Sequence, residues 1–231
     1  MGNNVFTFSR NLHEEFSYLH GTPLLQIRRI TRRLEQAHQG IGWEIDFETY
    51  VELMDMKGNV AGAADQWRLW DDNKDGENNV LEILAAMTIV SESNLQPKYN
   101  ALFNLFDFHD QDYLDYSGLI LLLSCSLNGL CKMTVSPPVS RSLIKHTAQV
   151  LISQLADAKD PKIPRAELAE WMLRTPAALW VLCKVHPCPH SHPPPPSHTH
   201  TQHTHIILHR IFLIGLSHIH RNSQGMYYIL L

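Results

Sequence analysis

Twelve residues constrain this chain more than any others. From Asp71 to Glu82 it reads DDNKDGENNVLE. Oxygen-bearing side chains stand at Asp71, Asn73 and Asp75, a glycine follows at Gly76, and a carboxylate closes the run at Glu82. Alternate residues of a short loop can point inward together. Three side chains, a backbone carbonyl and a two-oxygen carboxylate then approach the six to eight oxygens, at about 2.3–2.6 Å, that a hard divalent cation takes. Gly76 permits a left-handed turn that other residues adopt at a cost. The segment before the loop (residues 60–70) and the one after it carry apolar residues at helical spacing: Trp67 and Trp70 before, Val80, Ile83, Leu84, Met87 and Val90 after. The expected unit is helix, loop, helix.

The match to D-x-[DN]-x-[DN]-G-x₅-E is complete, and this pattern is the EF-hand calcium loop. Its expected ligands are Asp71, Asn73 and Asp75 by side chain, Glu77 by its backbone carbonyl, Asn79 directly or through water, and Glu82 by both carboxylate oxygens. One position departs from the pattern. The eighth residue, Asn78, stands where an aliphatic residue usually packs in a small β-bridge between paired loops. Its polarity is expected to loosen the bridge and weaken the site.

The same unit recurs. Loop centres align at Ile45, Asn78, Leu114 and Ile163, spaced by 33, 36 and 49 residues. Predicted helices cover 23–37, a segment after EIDF, 60–70, the stretch from Val80, then 97–106, 119–127, 140–155 and 167–174. The fold class expected is all-α: four EF-hand units in two pairs, residues 23–92 and 93–184, after an N-terminal segment 1–22 and before a low-complexity, disordered tail 185–231. Only the second loop keeps its ligands. The first has His38, Gly40 and Gly42 at positions 1, 3 and 5. The third keeps Asp107 but has His109, Gln111, Asp112 and Gly118 at positions 3, 5, 6 and 12. The fourth has Ala156, Ala158 and Pro161 at positions 1, 3 and 6, leaving Asp160 and Glu167. These three are expected to fold and pair without metal.

Composition narrows the function classes. Net charge is −4, from 19 basic and 23 acidic residues, with no basic block that would recruit nucleic acid. No nucleophile triad, phosphate-binding loop or zinc-protease motif occurs. His13, His20, His38, His109 and His146 form no local constellation, so the chain is not expected to be an enzyme. MGNNVFTFSRNLHEEF lacks the apolar stretch of a secretory signal. The four cysteines, Cys125, Cys131, Cys183 and Cys188, therefore read as reduced thiols, and the expected compartment is the cytoplasm. No apolar run reaches the ~20 residues of a membrane span.

WRLWDDNKDGENNVLEILAAMTIVSESNLQPKYNALFNLFDFHDQDYLDYSG resembles the central two hands of the neuronal calcium sensor (recoverin-like) group. The resemblance lies in the WD and FD steps into the loops, NKDG, the Glu–x–x–Ala exit helix and the linker around Lys98. RAELAEWMLRTPAALWVL resembles that group's last hand, and calcineurin-B-like subunits share the four-hand plan. The resemblance spans about 23–182. It implies a calcium sensor with a degenerate first hand and an apolar groove for a helical segment of a target protein. Trp67, Trp70, Phe103, Phe106, Leu119–Leu123, Trp171 and Trp180 are the groove candidates, although most must also fill the core. Members of the group often carry an N-terminal myristoyl group, which makes Gly2 the lipidation candidate. The acylation pattern asks for Ser or Thr at position 6, where this chain has Phe6, with Thr7 one place late. An ordinary N-terminus is the expectation, and membrane association would follow only from acylated Gly2.

The tail is unlike the rest. After Lys184 there is no Asp or Glu, and ten of the 15 histidines fall between His186 and His220. HPCPHSHPPPPSHTHTQHTH cannot bury a core. Its imidazoles suit loose binding of Zn²⁺, Ni²⁺ or Cu²⁺. Alternating His-Thr is also what a CA dinucleotide repeat encodes in one frame, and translated non-coding sequence is the favoured reading. The functions expected are a calcium sensor or adaptor, or else a structural regulatory subunit with little calcium dependence, or a calcium buffer.

Overall fold

The structure is a computed structural model. It describes residues 12–37, 43–157 and 160–175, together with strand segments 219–221 and 227–229. The described body is all-α in class. A 3₁₀ helix (Glu14–Gly21) precedes α1 (Leu24–Ala37), α2 (Phe47–Leu53), α3 (Val60–Trp70) and α4 (Val80–Val90). Then follow α5 (Leu95–Phe106), α6 (Tyr116–Met133), α7 (Arg141–Leu155) and α8 (Arg165–Arg174). Four very short strands lie in the loops: β1 (Glu44–Asp46), β2 (Glu77–Asn79), β3 (Tyr113–Leu114) and β4 (Ile163–Pro164).

The strands pair the helix–loop–helix units two by two. β1 and β2 run antiparallel with Ile45 opposite Asn78. β3 and β4 run antiparallel with Leu114 opposite Ile163. These are the four residues aligned as loop centres in the sequence. Of them, Ile45, Leu114 and Ile163 are buried apolar contacts, and Asn78 is buried as well. The residue after each centre starts the outgoing helix. Asp46, Asn79 and Asp115 each accept a backbone N–H from the first turn, which satisfies one of the orphan donors there.

One hydrophobic core runs through both halves, from Phe16 and Leu19 to Trp171. α4 lies at its centre. Of its eleven residues only Glu82 is not buried, the signature of a helix enclosed on all sides. α6 packs along α4 and α7. It has the length and apolarity of a membrane span, yet it buries Leu119, Leu122, Cys125, Leu130 and Met133 in the core.

Element boundaries differ from the sequence reading in several places, and α8 begins at Arg165 rather than at 167. α5 begins at Leu95, two residues early, because Pro97 sits in the first turn, where a missing N–H costs nothing. α6 runs from Tyr116 to Met133 rather than 119–127, passing through Gly129. The 3₁₀ helix was not foreseen: Phe16 packs against Trp70 with ring centroids 5.1 Å apart, and the His13 N–H donates to the Met133 carbonyl at 2.8 Å. In the tail, β5 (Ile219–Arg221) pairs antiparallel with β6 (Tyr227–Ile229). The remaining expectations for 185–231 lie outside the described residues.

Candidate metal centre

The loop from Asp71 folds around its own oxygens. Asp71 caps the end of α3, and its carboxylate accepts the N–H of Asp75 at 3.1 Å and of Gly76 at 3.2 Å. Asp75 accepts the N–H of Glu77 at 3.0 Å, and the Asn73 amide donates to Asp75 at 2.6 Å. Lys74 and Gly76 both take positive φ, +60° and +82°. Asp71, Asn73 and Asp75 are thus drawn together, solvent-facing, with Glu77 leading into β2. Asn79 spends its side-chain oxygen on the Leu81 N–H at 2.9 Å as the helix cap.

Asn78 does not open the bridge. Its carboxamide is matched when its nitrogen donates to the Trp70 carbonyl at 2.6 Å and its oxygen accepts the Asp71 N–H at 3.2 Å. The polar side chain that the sequence marks as a defect therefore ties the second strand to the end of α3, with both halves of the amide satisfied.

Glu82 is not gathered with the other candidate ligands. Its carboxylate meets the Lys132 ammonium of α6 at 3.2 Å. The same ammonium lies 3.6 Å from Asp72. The Glu82 and Lys132 side chains are 16% and 19% exposed, so the pair is shielded from much of the solvent screening that weakens surface ion pairs. Among the described residues no three His, Cys, Asp or Glu side chains converge as a ready metal site. The donor set still suits a hard cation, being all oxygen and carboxylate-rich, and a tethered cation, Lys132, already sits on Glu82.

The third loop has the same backbone and a different solution. Asp110 and Asp112 take positive φ, +48° and +62°, at the positions equivalent to Lys74 and Gly76. Asp107 accepts the N–H groups of Gln111 and Asp112, both at 2.9 Å, as Asp71 does in its own loop. The positive charge here is Arg165, from the start of α8. Its guanidinium donates to Asp112 and to Asn104, each at 2.5 Å, stands 3.8 Å from Asp107, and covers the Phe103 ring at 4.3 Å. In the fourth loop Lys162 pairs with Asp160 at 3.5 Å and lies over Tyr113 at 4.5 Å.

Seven of the groove candidates fill the core: Trp67, Trp70, Phe103, Phe106, Leu119, Leu122 and Trp171 are all buried. Cys125 and Cys131 are free, buried thiols, each pushed up to about 12, first by burial, so neither is a reactive thiolate. Gly2, His38, Gly40, Gly42, Ala158, Trp180, Cys183 and Cys188 lie outside the described residues. Sequence reasoning missed Lys132 and Arg165. The available signal was a single carboxylate, Glu82, on a helix whose only other polar side chain is Thr88, which demands a counter-charge from somewhere. No protein-family model and no curated protein matches the chain.

Proposed function

We propose that the chain is an EF-hand protein that binds one Ca²⁺ at Asp71–Glu82 and serves as a calcium sensor or adaptor for a partner protein. The observation that carries this reading is an oxygen-lined turn at Asp71–Asp75 followed, at the twelfth loop position, by Glu82, the one side chain left unburied on α4. Asp71, Asn73, Asp75, the Glu77 carbonyl and Glu82 are the residues that would hold the ion. Bound calcium supplies a dication whose charge these oxygens neutralise. Glu82 must exchange its Lys132 partner to take part, and because it belongs to the central helix, its movement bears on the whole core. Of the residues assigned to a target groove, Trp67, Trp70, Phe103, Phe106, Leu119, Leu122 and Trp171 are enclosed, so using them in an adaptor role requires α4 and α6 to part before a target helix can dock.

A second reading, a structural subunit with little calcium dependence, is favoured by Arg165. That residue gives the third loop a permanent cation, and the fourth loop has no ligand set. Terbium luminescence separates the two readings. Tb³⁺ seated in the loop is close to Trp70, which immediately precedes Asp71, and should show sensitised emission that Ca²⁺ displaces. Emission that Ca²⁺ does not displace, or no emission at all, contradicts the sensor reading. A hydrophobic dye that binds equally with calcium and with chelator favours the structural subunit.

A further inference from the structure

We infer that Lys132 is a tethered competitor for the Asp71–Glu82 site, and that its ammonium sets the affinity with which the loop takes calcium. The inference rests on the calcium reading above and concerns the regulation of that same site. Glu82 and Lys132 are 50 positions apart in the chain, yet the contact is tightly determined. Gly129, one turn before Lys132 on α6, sits on the backbone of Glu82. A Cβ at 129 would stand 2.3 Å from the Glu82 carbonyl oxygen and 2.9 Å from the Ala86 Cβ. Residues three apart on a helix share a face. The approach that only glycine allows at 129 therefore delivers the Lys132 side chain to the Glu82 carboxylate.

The charges around the ammonium support a role beyond packing. It meets Glu82 at 3.2 Å and Asp72 at 3.6 Å. Asp72 is the second residue of the loop and Glu82 the last, so one ammonium bridges the two ends of the segment that a cation would close. The remaining titratable neighbours, Cys125 and Cys131, are buried thiols held in the neutral form. Lys132 thus has two acidic neighbours, and the loop needs one of them. Drawing Glu82 to a cation leaves a mostly buried ammonium with Asp72 alone, a state that α6 can relieve by shifting its last turn. Lys132 therefore weakens the site while linking its occupancy to α6.

Calorimetric titration of the full-length chain with CaCl₂ tests this, using wild type, Lys132→Met, Lys132→Arg and Lys74→Met. Methionine keeps much of the apolar stem and removes the charge. We expect Lys132→Met to bind about tenfold more tightly than wild type, and Lys132→Arg to stay within about twofold. Lys74→Met removes a positive charge from the loop without touching Glu82, and should give a gain of less than about threefold. Should the methionine chain fail to fold, Lys132→Gln carries the same expectation. Unchanged or weaker binding by the charge-removing variants overturns the inference, as does a Lys74→Met gain equal to theirs, which would reduce the effect to net charge. If wild type binds and Glu82→Gln does not, while Lys132→Met matches wild type, only the competitor falls. If no chain binds, the calcium reading falls with it.

Discussion

Gly129 of α6 lies so close to Glu82 of α4 that a methyl group at 129 would stand 2.3 Å from the Glu82 carbonyl oxygen. The obstacle is backbone and cannot swing aside. Gly129→Ala gains up to about 1 kcal/mol of helix propensity but must push α6 off α4, an overpacking cost of about 1–3 kcal/mol. The expected net result is a lower urea midpoint, followed by circular dichroism. A raised midpoint would mean that the two helices separate freely.

Arg165 should stabilise the second pair of loops as a built-in cation. Its partner Asp107 has a side chain only 3% exposed, and Arg165→Met leaves that carboxylate without its guanidinium. A loss of about 2 kcal/mol is expected, and Asp107→Asn in the same chain should recover part of it, because the stranded charge is gone. Calcium binding at Asp71–Glu82 should change little. Additive losses in the double variant would show that the two side chains act independently.

Gln66 ties the N-terminal 3₁₀ helix to α3. Its carbonyl oxygen accepts from Tyr50 at 2.7 Å and Tyr18 at 3.3 Å, and its nitrogen donates to the Glu15 carbonyl at 3.1 Å. Tyr50 is almost fully enclosed. Gln66→Met therefore strands a buried hydroxyl and should cost about 1–3 kcal/mol, read as a shift in the thermal midpoint. A shift near zero would indicate that water replaces the amide.

Alkaline pH should weaken the fold through its buried acids. Cys125 and Cys131 are raised to about 12, chiefly by burial, and Tyr50 is raised for the same reason. In the unfolded chain these thiols lose their protons near pH 9, whereas in the folded chain they hold them. Their contribution is complete below about pH 9 and is lost as pH rises from there toward 12. Urea midpoints measured from pH 8 to 11 should fall, and a Cys125→Ala, Cys131→Ala chain should show a shallower fall. Identical slopes would rule out the thiols as the cause.

Much of this architecture is legible in the sequence because it depends on local patterns. The spacing of Ile45, Asn78, Leu114 and Ile163 marks the four residues that face one another across the two strand pairs. Apolar periodicity places α1, α3 and α7 nearly to the residue. The failures are tertiary. The helix expected over 119–127 continues through Gly129, where close contact with α4 requires a residue without Cβ. Phe16 and Leu19 are too few to signal a helix, and the 3₁₀ turn exists because both find the core. Asn78 reads as a weak point, and only the positions of Trp70 and Asp71 reveal its partners. Lys132 and Arg165 are ordinary basic residues until folding brings them to loops some 50 residues away.

The most direct test of the central claim is calorimetric titration of the full-length chain with Ca²⁺, beside Glu82→Gln. That substitution keeps the side chain's shape and removes the closing carboxylate. The account predicts one equivalent of calcium bound by wild type and binding abolished in the variant. Two or more equivalents, no binding by wild type, or unaltered binding by the Glu82→Gln chain would contradict it.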